Sequence, residues 1–207
     1  MRFSVIVPAY NSSAWIRKAL DSIKQQTFKD YELIVVCDSC TDDTEQIAKE
    51  YGAVTKAVNF HRDGLTRNAG LDMAQGEYIL FMDDDDWWMH EFVLKQLDKK
   101  LKELDNPDVL CFSFIFKHWK YAEPRCDSYG NRWVAVWNKC WKRSFIGDTR
   151  FPGIEKISDR YFNDEMTKKE GRWEDWDMPM LYYNYFRKGS QTQVTEKTMP
   201  EYFKRDW

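Results

Sequence analysis

Strand-like and helix-like patterns alternate through the first hundred residues of the chain. Short runs rich in apolar and β-branched residues predict buried strands. They cover residues 3–7, 33–37, 53–60 and 78–82. Between them, apolar residues recur every three or four positions, as on one face of a helix. The helices predicted in this way cover residues 14–27, 42–51 and 67–75, and residues 61–66 are predicted as a loop. This alternation is typical of an α/β fold, with a mixed, mainly parallel sheet and helices on both faces.

The second half of the chain has a less regular pattern that is rich in aromatic residues. A helix at residues 91–104 and a strand at 109–116, buried on both faces, are predicted first. The elements predicted after them are a loop or hairpin at 118–131, a strand becoming a helix at 133–146, a loop at 147–153, a helix at 157–170 and a strand at 178–186. No internal repeat or domain linker interrupts this order, so we expect one domain.

Four consecutive aspartates, Asp83 to Asp86, directly follow the apolar strand at residues 78–82. Adjacent carboxylates repel one another, so their ionisation at neutral pH favours a bound cation. Oxygen ligands suit Mg²⁺ or Mn²⁺, which usually keeps water molecules and shares its coordination shell with substrate phosphates. The alternative is a solvated charge run or a helix start. Because so apolar a strand precedes the acids, we favour a metal–diphosphate site at the strand end.

Two other predicted strands also end in turn-forming or acidic residues. Pro8 to Asn11 follow the first strand, and Asp38 follows the second. In open α/β sheets, ligands bind outside the carboxyl ends of the strands. We therefore expect the sheet topology to gather these residues and the four aspartates at one crevice.

Composition narrows the classes of function. The chain has 207 residues, of which 31 are basic and 34 acidic, and its net charge of -3 argues against a nucleic-acid binder held by bulk charge. The five cysteines, an odd number at irregular spacing, argue for a reducing compartment and against a disulfide framework. Cys37 and Cys40 form a C-x-x-C without a second pair at zinc spacing, so we expect no structural zinc. No apolar run is long enough to cross a bilayer. We expect a cytoplasmic protein, with peripheral contact at the inner face of the membrane left open.

Four motifs occur in a fixed order in the first part of the chain. They read SVIVPAYN at residues 4–11, VCDSCTDDT at 36–44, GLTRNAGL at 64–71 and GEYILFMDDDDW at 76–87. Together they resemble the family 2 glycosyltransferases, which have the GT-A fold. The resemblance is strong up to about residue 90 and weaker at residues 137–146 and 182–190.

The resemblance implies an inverting sugar transfer from a nucleotide-diphosphate sugar, usually a UDP-sugar, to a hydroxyl group of a saccharide or lipid-linked acceptor. It points to polysaccharide or glycoconjugate synthesis. The residues that it implies for nucleotide binding are Pro8, Ala9, Tyr10, Asn11, Asp38, Arg67, Asp83 and Asp84, and for binding Mn²⁺ or Mg²⁺ it implies Asp85. A carboxylate such as Asp38 can accept a hydrogen bond from a uracil N–H. The alternatives are a helix cap for Asp38 and a surface ion pair for Arg67.

Inversion requires a general base that takes the proton of the acceptor hydroxyl. The family places an Asp for this role in a Glu-Asp pair ahead of a short helix. The best-matching position here is Asp159, where Ser158 replaces the Glu. Asp175, in the later Glu-Asp pair, is the second candidate and Asp164 the third. The alternative for Asp159 is an acid that only stabilises a helix N-terminus.

The same resemblance divides residues 1–207 of a single GT-A domain into a nucleotide-sugar-binding half, 1–105, and an acceptor-side half, 106–207. The aromatic residues that could offer flat faces to an acceptor are Trp119, Tyr121, Trp133 and Trp137, although core packing explains each at least as well. A non-catalytic nucleotide-sugar binder stays open as an alternative, because the Glu is missing. A haloacid-dehalogenase-like phosphatase is disfavoured, because the first strand ends without an acid.

Overall fold

The structure is a computed structural model that describes residues 1–116, 120–122 and 135–183. Its strands are β1 (Phe3–Ala9), β2 (Tyr31–Asp38), β3 (Val54–Val58), β4 (Tyr78–Phe81), β5 (Trp87–Trp88), β6 (Val109–Phe116), β7 (Lys120–Ala122), β8 (Lys139–Lys142) and β9 (Trp173–Tyr183). Its helices are α1 (Ile16–Lys24), α2 (Thr44–Glu50), α3 (Asp63–Met73), α4 (Val93–Glu103), α5 (Arg143–Ile146) and α6 (Ser158–Thr167).

The strands of the described ranges form one mixed sheet in the order β3-β2-β1-β4-β8-β6-β9-β5, with β7 paired to β6. The ladders that join β3, β2, β1 and β4 are parallel, as is the ladder between β6 and β9. The ladders of β8, β5 and β7 are antiparallel and shorter. This confirms the predicted mixed, mainly parallel sheet. It also brings the carboxyl ends of β1, β2 and β4 to the same edge.

Helices cover both faces of the sheet because side chains alternate along its strands. On β1, Val5 and Val7 belong to the apolar layer that includes buried residues of α1, α2 and α4. Ile6 points to the other layer, which includes buried residues of α3 and α6. The helix positions predicted from the apolar spacing are thereby confirmed as core-facing. The α3–α6 layer matters most for the site, because it places two helices from distant parts of the chain side by side.

The start of α3 is the clearest difference from the sequence prediction. The helix begins at Asp63, whereas residues 61–66 were predicted as a loop. Gly64 lies in the first turn of the helix, although glycine is a poor helix former. In the structure it serves close packing: a Cβ on Gly64 would lie 2.7 Å from the carbonyl oxygen of Pro152 and 3.0 Å from Cβ of Ser158. Glycine is used here because α3 passes so close to the start of α6.

Two strands also differ from the prediction. The two-residue strand β5 has no pattern of its own, and it exists because it pairs with Leu181 and Tyr182 of β9. Strand β9 begins at Trp173 instead of residue 178, because its first residues pair with Val109 and its neighbours on β6. The predicted end of this strand, at residues 184–186, lies outside the described residues, as do residues 133–134 ahead of β8.

The structure places some of the aromatic residues and cysteines that were noted in the sequence. Trp137 is buried, and its ring packs edge-on against Phe114 at 4.7 Å, which supports core packing. Trp119 and Trp133 lie outside the described residues, and nothing is described of the Tyr121 side chain. The described cysteines, Cys37, Cys40, Cys111 and Cys140, are free thiols. Within the described ranges, no helix combines the length and the apolar character needed to span a bilayer.

Candidate active site

The edge of the sheet where β1, β2 and β4 end gathers most of the predicted site residues. Backbone N–H of Tyr10 lies 3.4 Å from Oδ2 of Asp84, which links the loop after β1 to the aspartates after β4. Asn11 Oδ1 accepts a hydrogen bond of 2.7 Å from the backbone N–H of Thr41, which links that loop to the segment after β2. Pro8 and Ala9 form the buried end of β1. Hydrogen bonds therefore tie together the three segments that were expected to line a crevice.

Asp38 is almost fully buried at the end of β2 and anchors the loop after β3. Its two carboxylate oxygens accept hydrogen bonds from backbone N–H of Phe60, His61 and Arg62 at 2.7–3.1 Å. They also accept hydrogen bonds from the hydroxyls of Ser39 and Thr66. Burial on its own would raise the pKa of Asp38, but these donors outweigh it and hold the pKa below its usual value. Asp38 thus stays ionised and does not act as a cap of α2, which begins at Thr44.

Three residues at this edge have left-handed backbone conformations although none is glycine. They are Asn11, Ser39 and His61, with φ of 45°, 56° and 49°, and they follow β1, β2 and β3 in turn. Such conformations are uncommon for non-glycine residues, and they cluster at functional sites. Ser39 Oγ lies 3.1 Å from Nε2 of His61, whose ring meets that of Tyr10 edge-on at 6.4 Å. Ser39 and His61 were not singled out from the sequence, and their only signal was their position after a strand.

Arg67 connects the acid run to the predicted base. Its side chain, on α3, is only 4% exposed and pairs with the carboxylates of Asp63, Asp83 and Asp159. The distances to Asp83 Oδ1 and Asp159 Oδ1 are 2.7 Å and 3.4 Å. Burial opposes the charge of Arg67, but the three carboxylates keep its pKa above the ordinary value. Arg67 is therefore the centre of a buried charge cluster and not a surface ion pair.

Asp63 is the member of this cluster that sequence reasoning missed. It lies four residues before Arg67, a spacing that brings two oppositely charged side chains together on one face of a helix. The signal was present, but Asp63 was placed in a predicted loop, where that spacing has no meaning.

Asp159 lies in the first turn of α6, behind Ile157, whose φ is 58°. Its side chain is 22% exposed, and its Oδ1 makes no hydrogen bond within the part of the chain that the structure describes. Burial, helped by the charges of Asp63 and Asp83, raises the pKa of Asp159 to about 6, against the effect of Arg67 and the backbone N–H of Val136. An acid of this kind is well suited to accept a proton near neutral pH.

The other candidate bases lie elsewhere. Asp175 is inside β9, which β8 and β6 separate from β4. Three strand spacings of ~4.8 Å place β9 about 14 Å across the sheet from β4, the strand that precedes the acid run. Asp164 is on the exposed side of α6. The charge cluster thus brings together Asp159 and Asp83, and neither Asp175 nor Asp164.

The acid run closes a turn in which the backbone N–H of Asp86 donates to the carbonyl of Asp83 at 3.2 Å. Asp83 pairs with Arg67 and Asp84 faces the Tyr10 N–H, while Asp85, the next residue, is half-buried. Among the described residues, no three His, Cys, Asp or Glu side chains form a group that could hold a metal ion. A single carboxylate fits an ion such as Mg²⁺, which takes one or two protein ligands and completes its shell with water and phosphate oxygens.

Comparisons with known proteins point in one direction. A family model described as "Glycosyl transferase family 2" matches residues 4–145. The chain is 39% identical over 228 residues to the glycosyltransferase GlyA of Streptococcus pneumoniae serotype 4, covering 96% of this chain and 32% of GlyA. It is 29% identical to the putative glycosyltransferase EpsH of Bacillus subtilis, covering 77% of this chain and 54% of EpsH. The chain thus spans between about a third and about a half of these relatives.

Solved structures agree with this relationship. The crystal structure of Staphylococcus aureus TarS 1–349 in complex with UDP-GlcNAc matches with a TM-score of 0.81 and 25% identity, over 96% of this chain and 63% of that one. A mannosyltransferase from Pyrobaculum calidifontis, in complex with GDP-Man and Mn²⁺, has a TM-score of 0.71 and 20% identity, over 91% of this chain and 58% of that one. The second likeness is one of fold alone.

Proposed function

The chain belongs to glycosyltransferase family 2, and from that premise we propose that it transfers a sugar, with inversion, from a UDP-sugar to a hydroxyl group of a saccharide or lipid-linked acceptor. One observation carries the proposal. A half-buried acid with a raised pKa, Asp159, is held through Arg67 to Asp83 of the acid run. A base and a diphosphate-binding turn are thereby joined in one cluster. The UDP-GlcNAc bound in the TarS structure supports a uridine donor.

For donor binding, we assign the base and ribose to the residues that line the crevice at the ends of β1 and β2. These are Pro8, Ala9, Tyr10, Asn11 and Asp38, with Asp83, Asp84 and Arg67 beside them. Asp38 holds the loop after β3 in place, so part of its contribution is to fix the shape of the crevice. We place the donor with residues 1–105 and the acceptor with residues 106–207 of one domain.

We assign Asp85 to a divalent cation, Mn²⁺ or Mg²⁺. When bound, the ion would offset negative charge on the leaving diphosphate. The chemistry of the donors supports this, because carboxylate oxygens suit these hard cations and phosphate oxygens complete their shell. The fold neighbour from Pyrobaculum holds Mn²⁺ together with its nucleotide sugar.

Asp159 acts as the general base. Its carboxylate takes the proton of the acceptor hydroxyl while that oxygen attacks the anomeric carbon, and the bond from this carbon to the diphosphate oxygen breaks. Attack on the face opposite the leaving group inverts the anomeric configuration. With a pKa of about 6, about nine in ten Asp159 side chains are ionised at pH 7, ready to accept the proton.

The donor assignment is tested first by thermal unfolding with UDP and UDP-sugars, with and without Mn²⁺. A ligand at 100 times its Kd stabilises the folded state by about 2.7 kcal/mol. We expect a Mn²⁺-dependent rise in melting temperature with UDP that is lost in Asp85→Ala and kept in Asp148→Ala, an exposed acid outside the cluster. A rise in wild type that is unaffected by Asp85→Ala would contradict the metal assignment.

Transfer itself is tested by UDP release from UDP-GlcNAc and UDP-glucose in the presence of an acceptor panel. We expect release in wild type and its loss in Asp159→Asn. Nucleotide binding without any release would favour the non-catalytic binder, in which Ser158 replaces a required Glu.

A further inference from the structure

We propose that Asp63 is a positioning residue for the transfer reaction, which holds Arg67 so that the carboxylate of Asp159 stays available to the acceptor. The inference rests on the proposed function, since it assigns a role toward the base of that reaction. Asp63 is not among the residues that the sequence predicted to bind nucleotide, metal or acceptor.

The geometry centres on one nitrogen atom of Arg67. Its Nη1 pairs with Asp63 Oδ2 and lies 3.4 Å from Asp159 Oδ1, while Nη2 pairs with Asp83. The same oxygen of Asp63 lies 3.5 Å from Oγ of Ser158, the residue before the base. Asp63 therefore contacts both the cation that pairs with Asp159 and the side chain of the residue before Asp159.

An exposed ion pair at this helical spacing contributes little to stability. In the pair between Asp63 and Arg67, however, the Arg67 side chain is buried. A buried cation needs compensating carboxylates, and removing one of them is costly. Of the three carboxylates, Asp83 belongs to the donor site and Asp159 is the proposed base. Asp63 is the remaining one, so it can neutralise Arg67 without taking part in the reaction. Without it, Arg67 would be shared between Asp83 and Asp159 and would draw the base into a tighter ion pair.

The sequence gives a reason for such an arrangement in this chain. In the family pattern a Glu precedes the base, and here Ser158 stands at that position. The contact between Ser158 and Asp63 places a carboxylate beside this position from a different element, α3. The chain thus keeps an acid next to the base although the residue that usually carries it is absent.

The charged groups that act on Asp159 come from two elements. Arg67 and Asp63 are on α3, and Asp83 is in the turn after β4. Arg67 lowers the pKa of Asp159, whereas Asp63 and Asp83 raise it. Loss of the Asp63 charge should therefore make Asp159 a weaker base, in addition to changing its position.

The test compares Asp63→Asn, which has the same shape without the charge, with Asp63→Glu, which keeps the charge. The matched control is Asp72→Asn, because Asp72 also lies on α3 and pairs with an arginine, Arg150, outside the cluster. UDP release from UDP-GlcNAc with Mn²⁺ is measured across pH, and binding of UDP with Mn²⁺ is measured by thermal shift.

We expect Asp63→Asn to lower kcat by about tenfold, a part of the 10²–10⁴ typical of a general base. The KM for the donor and the UDP thermal shift should stay near wild type, and the acid limb of the rate profile should move to lower pH. Asp63→Glu should recover most of kcat, and Asp72→Asn should stay within about twofold of wild type, as expected for an exposed pair.

The outcomes separate the two proposals. If Asp63→Asn keeps the wild-type rate and acid limb while Asp159→Asn is inactive, the positioning role is wrong and the proposed function stands. If Asp63→Asn is slow with an unmoved limb and Asp63→Glu is equally slow, Asp63 is merely structural and the inference is also wrong. If wild type releases no UDP, or Asp159→Asn is fully active, the proposed function fails and the inference fails with it.

Discussion

The acid limb of the pH–rate profile gives the sharpest test of the proposed base. Burial and the nearby charges of Asp63 and Asp83 raise the pKa of Asp159 to about 6. A general base acts only in its ionised form. The pH dependence of kcat/KM reports the pKa of the free enzyme, so we expect kcat/KM to be constant above about pH 7, half-maximal near pH 6 and tenfold lower for each further unit of pH. At pH 5, about one Asp159 in eleven is ionised, so the rate should be about a tenth of its plateau.

The assay measures UDP release at limiting UDP-sugar, with acceptor and Mn²⁺ held constant, between pH 4.5 and 8.5, in wild type and in Asp159→Asn. The variant should lose a factor of about 10²–10⁴ at the plateau, because an amide cannot take the proton. Its residual rate should no longer fall between pH 7 and pH 5. Asp164→Asn, on the exposed side of the same helix, is the matched control and should keep both the plateau and the limb.

Two results would refute this reasoning. The first is an acid limb that persists unchanged in Asp159→Asn, since another group would then titrate in the reaction. The second is a large loss in Asp175→Asn with little loss in Asp159→Asn. That result would transfer the base role to β9, although about 14 Å of sheet separates that strand from β4.

Three further predictions concern stability, measured as the free energy of unfolding in urea. Gly64→Ala should destabilise the protein by about 1–3 kcal/mol, because its Cβ would lie 2.7 Å from the carbonyl oxygen of Pro152. Gly153→Ala is the control: the atom nearest to its Cβ would lie 3.4 Å away, so this substitution should destabilise the protein much less. Asp38→Asn should cost about 2–3 kcal/mol, since backbone donors that pair with a charged acceptor would face a neutral amide. The pKa of Asp159 rises on folding from 3.8 to about 6. The stability that this shift contributes is therefore fully present only at pH values well below the unfolded pKa, and it is lost as pH rises through about 6. The difference in stability between wild type and Asp159→Asn should change by ~2 kcal/mol between pH 4 and pH 7.

The first half of the fold was predictable because its elements are local. A parallel strand buried on both faces is a short apolar run, and a covering helix has an apolar stripe, so each can be recognised without its neighbours. The crevice followed from a topological rule, which places ligands at the carboxyl ends of strands. Strand β5 could not be predicted in this way, because two residues carry no period and its pairing partner on β9 lies about ninety residues away.

The charge cluster could be predicted only in part. Asp83 and Asp159 were assigned by resemblance, but nothing in the sequence places their side chains on the same guanidinium group. Asp38 shows the same limit: its residue type predicted a ligand contact, whereas its five hydrogen-bond donors come from segments 60–66 and from Ser39. Residue types indicate which chemistry is available. Which donors bind a given carboxylate depends on how the loops fold, and the sequence pattern does not show that.

The segment around Gly64 shows why Asp63 and its pairing with Arg67 escaped local reasoning. Residues 61–66 were predicted as a loop, and that hid the helical spacing between Asp63 and Arg67. In the folded chain, the missing side chain of Gly64 lets α3 approach the start of α6, where a Cβ would meet Ser158 at 3.0 Å. That approach brings Asp159 within 3.4 Å of Arg67. The missing side chain at position 64 is thus one feature that allows the cluster to form, and a side chain there should disturb Asp159 as well as the packing.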